Sequence, residues 1–118
     1  MASRELLVLI ARDGALRSAL IARLSLAGES IVTLVGDPGD PVLDRIAPAP
    51  RILIIDSESL GGALRSLLDG ETWARIIVLA DRAEEFAADR VCRVDRREAL
   101  AAVEHDLKRW RLTLEQAA

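Results

Sequence analysis

Arg51-Ile-Leu-Ile-Ile-Asp56 decides the fold. Four consecutive aliphatic residues bounded by charges are too short for a transmembrane or long core helix and have no 3.6-residue period. They fit a strand buried on both faces, as in parallel sheets. Working outward, similar runs stand at Leu6 to Ala11, Ile31 to Val35 and Ile76 to Leu79, with a weaker one at Val91 to Val94. Between the first two, Leu16, Leu20 and Leu24 repeat every four residues, Asp13 offers an N-cap and Gly28 a C-cap, which predicts a helix over Ala15 to Ala27. A short helix is expected over Val42 to Ile46, fenced by Pro38, Pro41 and Ala47-Pro-Ala-Pro50, and another over Gly62 to Leu68, stopped by Asp69-Gly70. The last helix follows the capping-box pattern Asp95-Arg-Arg-Glu98 and carries one apolar stripe of Leu100, Val103, Leu107, Trp110 and Leu114. Alternating strands and helices predict a doubly wound α/β fold with a five-stranded parallel sheet.

Composition narrows the function. The 118 residues make one domain, spanning 1–118, and 51% hydrophobic with 30% charged residues is the balance of a globular chain. Fifteen Arg and one Lys are spread along the chain against nineteen acids, for a net charge of −3, so no basic footprint for nucleic acid is expected. Met-Ala-Ser-Arg-Glu does not read as a signal peptide and no apolar stretch approaches a membrane span, so a cytoplasmic location and no membrane partner are expected. Cys92 is the lone cysteine and His105 the lone histidine, which leaves no metal-ligand cluster of usual spacing. Cys92 reads as a structural thiol. Gly61-Gly62 lacks the spacing of a phosphate-binding loop and reads as a flexible turn.

In an open α/β sheet the chemistry sits at the carboxyl ends of the strands. Those ends hold Ala11-Arg12-Asp13, Asp56, Ala80-Asp81 and Arg93. Taken with their order and spacing, "LLVLIARDGALRSALIARLSLAGESIVTLV", "RILIIDSES", "RIIVLAD" and "VCRVDRREALAAV" resemble the receiver domain of bacterial two-component response regulators over nearly the whole chain. The resemblance implies a flavodoxin-like topology and makes Asp56 the phosphoacceptor-equivalent. It also exposes departures. Where the family has an acidic pair that holds Mg²⁺ for phosphoryl transfer, this chain has Ala11 and Arg12. The family's hydroxyl residue is Ala80, and its Lys-Pro is Arg93-Val94.

These departures imply a degenerate receiver, a pseudo-receiver, that is not an enzyme, takes no cofactor or metal, and signals by binding protein: a kinase, a regulator, a following output domain or a second copy of itself. A weaker similarity is to the degenerate receiver-like domains at the N-terminus of some flagellar-type transcription activators. The alternative is an atypical but active receiver phosphorylated on Asp56, with Asp13 helping to hold a metal. A small enzyme acting through Asp56 has little support, because no nucleophile and base are paired and His105 lies far along the chain. Arg12 and Arg93 either pair with Asp56, locking the site, or are solvated surface. Asp56 itself either carries signalling or ends a strand and accepts bonds from the next turn. Asp13 is more simply a helix N-cap than a displaced acid.

Only nine residues, 81–89, separate the fourth and fifth strands, fewer than a parallel crossover usually needs. The fourth helix is therefore expected to be shortened or absent, leaving an interaction face around Phe86, Val91 and Trp110. On the other reading Phe86 folds back as a plug, and the Trp110 stripe is core packing.

Overall fold

The computed structural model describes residues 5–35, 38–46, 50–60, 64–69, 72–81 and 90–117, with only the backbone of 64 and 114–117. Five strands, β1 (Leu7–Ile10), β2 (Ile31–Thr33), β3 (Arg51–Asp56), β4 (Trp73–Ala80) and β5 (Val91–Asp95), form one parallel sheet in the order β2-β1-β3-β4-β5. This is the flavodoxin-like order, whose direction reverses between β1 and β3. The helices are α1 (Gly14–Leu26), α2 (Leu43–Ile46), α3 (Ser57–Leu60), α4 (Leu64–Leu68) and α5 (Ala99–Ala117), the last entered through a 3₁₀ turn at Arg96–Glu98. Among the described residues no helix is long and apolar enough to cross a membrane.

Alternation along the strands divides the interior in two. Leu7, Leu9, Ile52, Ile54, Ile77, Leu79 and Val94 face α1 and α5, where Leu20, Leu24, Val103 and Leu107 meet them. Val8, Ile10, Leu53, Ile55, Ile76, Val78 and Val91 face the other way, toward Leu43, Leu60 and Leu67 of the short helices. Each such leucine contributes about 1.5–3 kcal/mol by leaving water.

The ends of α1 follow the sequence closely. Asp13 Oδ1 accepts from the amides of Ala15 at 2.9 Å and Leu16 at 3.1 Å. At the other end Glu29 N–H donates to Leu24 O and Gly28 N–H to Ser25 O, both at 3.0 Å. Gly28 has φ 90°, the conformation that makes glycine the natural residue after a helix.

Several boundaries differ from expectation. β2 stops at Thr33, and Val35 is almost fully exposed. The strand carrying Asp56 includes it, paired with Leu79. Immediately after it comes α3, which the apolar pattern did not announce because one turn shows no period. β4 begins three residues early, at Trp73. There the register slips: Arg51 pairs with Trp73 and Ile52 with Arg75, so Ala74 is an extra residue in the ladder. Such a bulge reverses which face later residues occupy. Trp73 is buried with Leu43 and Leu67, whereas Arg75 reaches Asp106 on α5 with contacts of 2.6 and 3.1 Å. Gly61-Gly62, the segment 82–89 with Phe86, where the fourth helix was expected to be shortened or absent, and the side chain of Leu114 lie outside the described residues.

Candidate functional site

Asp56 ends β3 beside the end of β1, at the point where the strand order reverses. Its residue is 5% exposed, so a charge there needs partners. Both oxygens have one. Oδ2 accepts from the backbone N–H of Arg12 at 2.7 Å, and Oδ1 from that of Ser59 at 2.6 Å. The second bond makes Asp56 the N-cap of α3, while the first ties β3 to the loop that leaves β1. Burial pushes the carboxyl upward, but the two amides, the Ser59 hydroxyl and the Arg96 guanidinium outweigh it and hold Asp56 below the usual aspartate range.

Arg12 therefore meets Asp56 through its main chain. Its guanidinium is mostly exposed and lies 3.7 Å from Glu58 Oε2. Ala11 is buried and its carbonyl accepts from Arg17 Nη1 at 2.9 Å. Asp13 is engaged in capping α1. Ala80, also buried, closes β4 opposite Asp95.

Arg93 is not the guanidinium that approaches Asp56. It stands opposite Val78 and shares a face with Val91, whereas Asp56 belongs by the two-residue period to the face of Ile52 and Ile54. The approaching charge is Arg96, from the 3₁₀ turn after β5. Its Nη2 lies 3.3 Å from Ser57 Oγ and 3.4 Å from Leu79 O, and its Nη1 lies 3.9 Å from Glu58 and 3.8 Å from Asp81. Sequence reading passed over Arg96 because it follows the strand by one residue. The signal was its place among three arginines at 93, 96 and 97 beside a helix start. Together Ala11, Arg12, Asp13, Leu16, Asp56, Glu58 and Arg96 line a cavity of about 340 Å³. Among the described residues no three His, Cys, Asp or Glu side chains come together as a metal-ligand group.

The residues expected to form an interaction face are placed differently from one another. Val91 is buried in the sheet core under the short helices, and Trp110 is half-buried against the core on the α5 side. The two therefore lie on opposite faces of the sheet. Phe86 is outside the described residues. Cys92, half-buried between β5 and α5, has its thiol pushed up to about 11 by burial and by Asp106. That makes it a poor nucleophile at neutral pH.

No family model matches this chain, and no curated protein matches it either.

Proposed function

We propose that this domain is a degenerate receiver that acts by binding protein partners and is not controlled by Mg²⁺-dependent phosphorylation of Asp56. The observation that supports this reading is the state of Asp56: each oxygen is held by a main-chain amide, and Arg96 adds positive charge from the side. An incoming phosphoryl group would have to share its oxygen with one of these bonds. The acid that an active site would recruit as a further ligand, Asp13, caps α1. Mg²⁺ prefers several oxygen ligands in near-octahedral array, and Arg12 stands where the resemblance would place an acid. Partners of this reading are a kinase, a regulator, an output domain that follows or a second copy.

The competing reading, phosphorylation on Asp56, draws on the open cavity in front of an ionised carboxylate. Incubation with a small phosphodonor and Mg²⁺, followed by intact mass, separates the two. The expected spectrum is unchanged; a gain of one phosphoryl group that Asp56→Asn abolishes establishes the competing reading.

A further inference from the structure

Two cavities meet at Arg96. Beside the Asp56 cavity, a groove of about 640 Å³ runs along α1 and the start of α5, walled by Leu16, Arg23, Leu100, Ala102 and His105 together with Arg96. Leu16 and Arg96 line both spaces. Leu16 is fixed by packing against the core. Arg96 is held differently. Its polar contacts, to Ser57, Leu79 O, Asp81 and Glu58, lie between 3.3 and 3.9 Å, longer than the usual N–H···O distance of about 2.9 Å. Its Nε is buried and has no acceptor among the described residues. A guanidinium offers five donors in a rigid fork. One held by several long contacts, with a donor unmet, exchanges partners at small cost.

Three of these partners belong to the Asp56 side of this arrangement, since Ser57 and Glu58 follow Asp56 directly and Leu79 pairs with it in the sheet. The arginine itself opens the turn that delivers α5 to the groove. We infer that Arg96 couples the two spaces, so that a change of charge or occupancy in the Asp56 cavity alters the wall of the α1–α5 groove. Removing a negative charge from the cavity, or placing a charged ligand there, shifts the guanidinium among its partners. Because the same group walls the groove, the groove's shape and charge change with it. The electrostatic effect of Arg96 on Asp56 runs along the same path. This coupling goes beyond the proposed function: it supplies a means of control that needs neither Mg²⁺ nor phosphoryl transfer, and it holds whichever reading of Asp56 is right.

The test is a double-mutant comparison by amide NMR on the full chain. Glu58→Gln removes one cavity charge at an exposed position and leaves the core untouched. In the wild-type background it is expected to shift the amides of Leu100, Ala102 and His105. In an Arg96→Gln background the same change is expected to leave them still. Arg96→Met, which keeps the aliphatic stem, supplies the background if Arg96→Gln does not fold. Groove amides that ignore Glu58→Gln in wild type overturn the coupling, and so do shifts of equal size with and without Arg96.

Discussion

The two faces of the sheet are covered in opposite ways. On one, α1 and α5 have 13 and 19 residues; on the other, α2, α3 and α4 have four, four and five. Among the described residues three ion pairs also fasten α5 to its surroundings: Arg23–Glu104, Arg75–Asp106 and Glu29–Arg111. Helices of one turn are not stable by themselves. Each short helix is held by the leucine it buries, Leu43, Leu60 or Leu67, and Trp73 joins the same cluster from within the sheet. One face is covered by periodic stripes and the other by isolated anchors.

The sharpest way to break that contrast is truncation. Leu107→Ala on α5 is expected to cost about 2–5 kcal/mol, and Leu67→Ala on α4 to fall at the lower end, because a single short turn relaxes around the gap. Urea denaturation of both variants checks this, and equal losses would erase the distinction. Next in size is Asp106→Ala, expected to cost about 3 kcal/mol by leaving the largely buried Arg75 without its carboxylate. Replacing the pair together, Arg75→Met with Asp106→Leu, is expected to recover much of that loss. A double variant no more stable than the single one would show that the pair does more than neutralise itself.

Asp56→Asn sharpens the comparison at the strand ends, with an expected loss of about 1–3 kcal/mol at neutral pH. The folded pKa of Asp56 lies below its unfolded value of about 3.9, so ionisation favours the folded state above that value. This contribution is complete at neutral pH and is lost as pH falls through the lowered folded pKa. The gap between wild type and Asp56→Asn should therefore stay level down to about pH 5 and shrink below about pH 4. A gap that widens in acid contradicts this sign. The smallest effect expected is that of Asp13→Ala, about 1 kcal/mol from the lost cap, read by thermal melting and by faster hydrogen exchange at Ala15 and Leu16.

The same contrast explains what the sequence made legible. Helix α1 announced itself through a four-residue repeat and two caps, and α5 through its stripe, because long amphipathic helices repeat their pattern several times. Helix α3 gave no such notice, and the start of β4 was hidden because Ala74 bulges and Arg75 interrupts the apolar run while being paired inside the fold. At the candidate site, Asp56 was visible from its strand, but its partners were not. Amides have no letter in a sequence, and the arginine beside it had to be told from its neighbour at 93 by strand parity.

That Asp56 is held by main-chain nitrogens has a consequence for inheritance. Nearly every codon at position 12 encodes the same N–H, so the bond to Asp56 Oδ2 survives substitution of the arginine by anything but proline. Side chains at this strand end can drift over generations while the geometry around the carboxylate is passed on unchanged.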